Sequence, residues 1–292
     1  SGKYIGQGVC AAILDTGIAQ HPDFAGRILA FKDFTGQERE AYDDSGHGTH
    51  VAGILAGSGC RSQGNYAGMA PKAGLLIGKV LDKEGNGAVR TILDGIEWLT
   101  KLRTKYSVRI VNISVGTHPD LEKYQKELLL EAVEDLWDQG VVVVVSAGNY
   151  GPEAGTVAVP GNSPKVITVG VPDYAETSVK LPVIGGKGKI KNYSGRGPTE
   201  QCVVKPDVLA PGTGIISCNS RFNKKTEGFY TSKSGTSMAT PVVAGAIACL
   251  LSKEPDMTNV EVKLKLRASC TRREKEPGWG MLQVEKLLSR ST

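Results

Sequence analysis

The chain has 292 residues, among them 37 glycines and 14 prolines, with 40% apolar residues and a formal net charge of +5. That composition supports a sizeable core and excludes disorder, and glycines without a three-residue period exclude collagen. Basic residues interleaved with acids argue against a nucleic-acid partner. No apolar run reaches the ~18–20 residues of a membrane span, so no membrane partner is expected.

The apolar runs at 9–14, 75–80, 109–115, 141–145 and 166–169 read as strands covered on both faces, because they are near-continuous rather than alternating. The first is followed by the turn-like Asp15-Thr16-Gly17. His47 opens a helix whose first turn is unusually small. Val89, Ile92, Leu93, Ile96 and Leu99 recur at helical spacing; so do Leu129, Val133, Leu136 and Trp137, with Gly140 where that helix should stop. The polar stretch 172–198 reads as a surface excursion. Its Gly185-Gly-Lys-Gly188 lacks both the spacing of a phosphate loop and the Ser/Thr that follows one. A long apolar helix runs from about 235 to 252, and Thr258-Asn-Val-Glu261 is a capping box that opens a last helix. This alternation predicts an α/β fold with a mostly parallel central sheet and helices on both faces, as a single domain over 1–292.

Six cysteines stand at 10, 60, 202, 218, 249 and 270, with no C-x-x-C pair and no zinc-type spacing to a histidine. Cys10 and Cys249 lie inside apolar runs and read as buried hydrophobes. One or two disulfides among the others stay open. The N-terminus shows no signal-peptide pattern, and the compartment, secreted or cytoplasmic, stays open as well.

Four polar residues stand where an α/β sheet gathers its chemistry. Asp15 ends a buried strand and is either a turn former or a paired carboxylate. His47, between two glycines, leaves its imidazole accessible; a zinc site would want a glutamate between His47 and His50, which is absent. Asn149 follows the valine strand and either caps a turn or donates to an oxyanion. Ser237 precedes the long apolar helix and is either an N-cap or a nucleophile that needs a base and an orienting partner.

Together they follow the order Asp, His, Ser that subtilisin uses. The segments Ala12-Ile-Leu-Asp-Thr-Gly-Ile18, His47-Gly-Thr-His-Val-Ala-Gly53, Ala147-Gly-Asn149 and Gly235-Thr-Ser-Met-Ala239 resemble the four signature blocks of the subtilisin-like serine proteases, the subtilases. The resemblance covers about residue 8 to the end and implies a three-layer, subtilisin-like α/β catalytic domain. It implies a serine endopeptidase in which Ser237 attacks, His47 moves the proton, Asp15 holds His47, and Asn149 with the Ser237 N–H binds the oxyanion. Thr236 would add a supporting hydroxyl, and Thr16 would help fix Asp15. The alternative is an inactive peptide-binding module of the same fold; its mark, a missing triad member, is not found.

The resemblance further implies protein or peptide substrates bound as an added strand between Gly85–Gly87 and Ser114–Gly116. Val89, Ile92 and Val115 would line the far side, and Ser146, Ala147 and Ala158 would stand near the scissile bond. Ala158 replaces a common glycine at the pocket floor, and no acidic wall is placed to meet Lys or Arg, so an apolar residue is expected just before the cut. A propeptide that assists folding is a further partner implied. No cofactor is needed for the chemistry. A structural calcium ion is left open: Asp23 matches a ligand of the family's site, but the loop 57–68 lacks its usual partners.

Overall fold

The computed structural model describes residues 3–117, 121–173 and 192–289; the Gly185–Gly188 turn and most of the surface excursion lie outside the described residues. In chain order the strands are β1 (Cys10–Asp15), β2 (Ile28–Asp33), β3 (Gly74–Lys79), β4 (Val108–Ile113), β5 (Val142–Ser146), β6 (Ile167–Gly170), β7 (Val208–Leu209), β8 (Ile215–Cys218), β9 (Tyr230–Lys233), β10 (Cys270–Thr271) and β11 (Met281–Leu282). The α-helices are α1 (His47–Ala56), α2 (Val89–Tyr106), α3 (Lys123–Asp138), α4 (Thr236–Lys253), α5 (Asn259–Ala268) and α6 (Val284–Leu288).

The main sheet has the order β10-β11-β7-β6-β5-β4-β1-β3-β2, parallel throughout except for β10 at its edge. Strands β8 and β9 form a separate antiparallel hairpin. The five apolar runs became β1, β3, β4, β5 and β6, the contiguous centre of the sheet. The edges went unpredicted for a physical reason. β2 is half-exposed over most of its length, and β7, β10 and β11 are two residues long, too short to carry a period.

Helices α2 and α3 pack together, α2 against β1 and β4 and α3 against β5. Helices α1 and α4 pack together on the other side, with α4 crossing β4, β5 and β6. This is the three-layer arrangement expected. Helix α4 is long and apolar enough to cross a membrane by composition, yet 78% of that stretch is buried inside the protein, as befits a core helix. The capping box of α5 forms in both directions: Glu261 N–H donates to Thr258 Oγ1 and Thr258 N–H donates to the Glu261 carboxylate.

One predicted boundary fails informatively. The strand read over 109–115 stops at Ile113, and the backbone groups of Val115 and Gly116 pair with no described residue. The apolar pattern continues past the point where the ladder ends, because the next residues wall a cleft.

Candidate active site

Register delivers the site. Leu14 of β1 stands level with Ile113 of β4, and Ile113 with Val145 of β5. Asp15, Ser114 and Ser146 therefore emerge side by side at the carboxyl edge of the sheet. Asp15 is fully buried, whereas the His47 side chain, on the first residue of α1, is 27% exposed. His47 Nδ1 lies 2.7 Å from Asp15 Oδ1, which also accepts the Thr16 N–H at 2.7 Å. Gly48 makes this approach possible: a Cβ there would lie 2.2 Å from the Gly17 carbonyl oxygen and 3.2 Å from the Asp15 Cβ.

The loop before α1 holds this pair in place. The Asp43 carboxylate accepts from Gly46 N–H at 2.8 Å, from Thr49 N–H at 2.8 Å and from the Thr49 hydroxyl at 2.6 Å. An anion at a helix N-terminus is stabilised by the orphan N–H groups and the helix dipole. Asp43 also accepts from the Thr16 hydroxyl, which in turn accepts the Gly48 N–H, so β1 and α1 are stitched through one carboxylate. Below them the buried Lys79 ammonium donates to the Thr16 and Leu81 carbonyls and to Asp44, each at 2.8 Å. Removal of solvent from the His47 ring opposes its charge, but the Asp15 charge and hydrogen bond outweigh that loss and hold its pKa above the ordinary 6.5. His50, three residues on, is buried among carbonyls with no acid beside it, and burial lowers its pKa to about 3.

Ser237 lies in the first turn of α4, after Gly235 at φ +152°, a conformation that favours glycine. Its hydroxyl donates to the Ser114 carbonyl at 2.7 Å and makes no hydrogen bond to His47 in this state. Catalytic hydrogen bonds are often unformed in free enzymes, and one rotamer change re-aims a serine. Asn149 Oδ1 accepts from the Thr236 N–H and hydroxyl, both at 3.0 Å, which leaves its amide free to donate. Thr236 thus bonds Asn149 through both N–H and hydroxyl, while Thr16 reaches Asp15 through its backbone N–H and gives its hydroxyl to Asp43. Asp43 escaped sequence reasoning, although an acid four residues before the first histidine of a helix start is a legible N-terminal signal.

A cavity of about 240 Å³ lies beside this edge. Gly85, Gly87, Ile92, Val115 and Gly116 line it, as expected, together with Leu81, Tyr150 and Pro160, which the sequence did not suggest as lining. Val89 and Ser114 are not among its lining residues. Ser146, Ala147 and Ala158 do not line it either; they are 2%, 0% and 0% exposed. Ala158 sits lower. A Cβ on Gly116 or on Gly148 would each lie 2.6 Å from the Ala158 Cβ, so that methyl fills the gap between the two walls.

The groups around Asp23 do not suit the calcium ion left open by the sequence. The Asp23 carboxylate is surrounded by donors: Gly59 N–H at 2.8 Å, Cys60 Sγ at 3.2 Å and the Tyr230 hydroxyl at 3.1 Å. Calcium takes six to eight oxygen ligands, and the groups gathered here are thiols, a phenol and a ring nitrogen. The six cysteines are all free; Cys10 and Cys249 are buried as expected, and no disulfide forms among the others.

A layered, mostly parallel α/β fold, here with an Asp–His pair and a helix-start serine at one sheet edge, is that of the subtilisin-like proteins. The subtilase family profile matches residues 6–282, and the chain belongs to that family. It is 44% identical over 276 residues to the serine protease AprX of Bacillus subtilis (strain 168), covering 90% of this chain and 61% of AprX. It is 33% identical over 266 residues to subtilisin Savinase of Lederbergia lenta, covering 91% of this chain and 84% of Savinase. The chain thus spans about three fifths of the length of AprX. Among solved structures, that of a cold adapted subtilisin-like serine proteinase superposes with a TM-score of 0.74 at 27% identity, covering 97% of this chain and 89% of the other.

Proposed function

We propose that this chain is a serine endopeptidase that cuts peptide bonds through an acyl-enzyme, with Asp15, His47 and Ser237 as its triad. The carrying observation is the 2.7 Å hydrogen bond between a fully buried carboxylate and a partly exposed imidazole, level with the strand end that holds Ser237. Names of the relatives support the same reading.

In this mechanism the substrate displaces the Ser237 hydroxyl from the Ser114 carbonyl toward His47. Oγ attacks the scissile carbonyl as Nε2 takes its proton, and Asp15 stabilises the imidazolium. The oxyanion meets two donors. One is the Asn149 amide, aimed by Thr236; the other is the Ser237 N–H, which the helix start leaves without an intrahelical partner. His47 then gives the proton to the leaving amine, and a water repeats the sequence on the acyl-enzyme. No cofactor takes part. The unpaired backbone of Val115 and Gly116 suits a substrate added as a strand opposite Gly85–Gly87. A propeptide would occupy the same cleft.

A fluorophosphonate, which labels only an activated serine, tests this reading. We expect one label, on Ser237, and Ser237→Ala should lose both the label and about 10⁶ of kcat, the size known for subtilisin itself. Labelling elsewhere, or a Ser237→Ala that keeps a per cent of activity, overturns Ser237 as the nucleophile; a parent that neither labels nor turns over supports the alternative of an inactive peptide-binding module. Ala158 is buried behind the Gly116 wall and fills the space between Gly116 and Gly148, so the primary pocket should prefer Leu or Met to large aromatics. Ala158→Gly should raise kcat/KM for Phe and Tyr relative to Leu by about tenfold or more. Tetrapeptide anilides differing only at that residue measure it; a parent that already favours Tyr refutes the pocket assignment.

A further inference from the structure

At the far end of α1 from His47, His21, Asp23 and Cys218 bring their ligand atoms within 4.8 Å of one another. They are 2%, 1% and 0% exposed. Cys60, on the loop after the helix, stands outside that group but brings a second sulfur against Asp23. Its Sγ lies 3.2 Å from Asp23 Oδ1, Cys218 Sγ lies 3.6 Å from Asp23 Oδ2, and His21 Nδ1 lies 3.7 Å from Oδ1. Around a tetrahedral zinc ion the nitrogen–oxygen and sulfur–oxygen edges are about 3.3 and 3.5 Å, so these three separations from the Asp23 carboxylate, two to Oδ1 and one to Oδ2, are each within about 0.4 Å of an edge, and binding would draw the Cys60 sulfur in toward His21 and Cys218.

The histidine is oriented for the task. His21 Nε2 lies 2.9 Å from the Phe229 carbonyl, which fixes the proton there and turns the Nδ1 lone pair toward Asp23. A ligating histidine is ordinarily steadied in this way, by a carbonyl on its other nitrogen. Asp23 is anchored as well, by the Gly59 N–H and the Tyr230 hydroxyl. The residue that the family resemblance tied to calcium thus stands among soft ligands.

We propose that His21 Nδ1, the Asp23 carboxylate, Cys60 Sγ and Cys218 Sγ form a binding site for a thiophilic divalent cation, zinc above all. Binding replaces two thiol protons, which leave to solvent, by two metal–sulfur bonds; His21 Nδ1 exchanges the Asp23 N–H for the metal. Two thiolates and a carboxylate around a dication leave one negative charge, which faces the Arg27 guanidinium bonded to the Asp23 carbonyl. The exposed Cys60 gives the ion its route in. Nitrogen and sulfur donors select zinc over calcium. The ion would tie three segments together: the turn at 22–24, the loop after α1, and the β8–β9 hairpin. It would stabilise the fold by mass action and leave the chemistry at His47 untouched.

The test uses reduced, chelator-treated protein with zinc and, as a spectroscopic probe, cobalt(II). We expect about one zinc retained per chain after gel filtration, about two protons released on binding, and Cys60 protected from iodoacetamide. Cobalt should give the thiolate-to-metal charge-transfer band and the strong visible bands of a tetrahedral site. Cys60→Ser, at an exposed position, and Cys218→Ser should each weaken zinc by at least about tenfold, the smaller of the losses seen even for outer partners. Parent protein that retains no zinc and shows no cobalt band overturns the site without any variant. So does a band that survives both substitutions, or calcium displacing cobalt at equal concentration.

Discussion

The two ends of α1 carry the same pair of residue types and use them differently. At the N-terminal end His47 Nδ1 bonds the Asp15 carboxylate directly, and the ring keeps an open face. At the C-terminal end His21 Nδ1 accepts a backbone N–H, and the Asp23 carboxylate spends its lone pairs on thiols, a phenol and a glycine N–H. The pKa values part accordingly. Burial lowers that of His21 despite the charge of Asp23, whereas Asp15 lifts that of His47 despite burial. An acid beside a histidine raises its pKa when the acid bonds the ring directly, as Asp15 does, rather than spending its lone pairs mostly on other donors, as Asp23 does.

The largest way to break this contrast is to neutralise each acid in turn. Asp15→Asn should cost about 10⁴ in kcat, as the matching change does in a serine protease of another fold. Asp23→Asn should leave kcat nearly unchanged. It turns an acceptor into a donor that faces other donors, so it should lower stability by ~1–3 kcal/mol and the melting temperature by several degrees. If Asp23→Asn slows turnover as Asp15→Asn does, the two ends are coupled and the contrast is wrong.

Smaller but more local is the loss of the oxyanion donor. Asn149→Leu should reduce kcat by ~10²–10³, the range measured in subtilisin, with KM little altered, because the amide acts on charge that develops only at the transition state. A change confined to KM would assign Asn149 to ground-state binding.

The smallest effect is the most discriminating. As the proposed base, His47 acts only when neutral, so kcat/KM should fall as pH drops through its raised pKa, with the limb above 6.5. In Asp15→Asn the main raising charge is gone and burial, with Lys233, outweighs Asp43, so the limb should move below 6.5, while in Asp23→Asn it should stay. The stability terms have opposite signs. The His47 pair contributes below its unfolded pKa, and the contribution is lost as pH rises through the folded value. His21 and His50, both lowered, contribute above 6.5, and that contribution is lost as pH falls, toward about 3 for His50. Histidine ring signals in NMR over this range should titrate above 6.5 for His47 and below it for His21 and His50; a His21 signal titrating above 6.5 would erase the comparison.

The sequence by itself determined the central strands, the helix faces and the four residues at the sheet edge. Buried parallel strands are written as unbroken apolar runs, and a helix start that must approach a strand end is written in small residues, as at His47-Gly48-Thr49. The capping box of α5 was equally legible, since its partners lie three residues apart. Tertiary structure alone decided the rest. That Ser237 rests on the Ser114 carbonyl depends on groups 123 residues apart, and Cys218 meets Asp23 across 195. Cys60, Cys218 and Asp23 have no local pattern to join them, and the half-exposed β2 and two-residue edge strands have no period to read. Local sequence encodes what neighbours along the chain do to one another; which distant donor reaches a buried carboxylate is set only when the layers pack, and that choice separates the histidine of raised pKa at one end of α1 from the one of lowered pKa at the other.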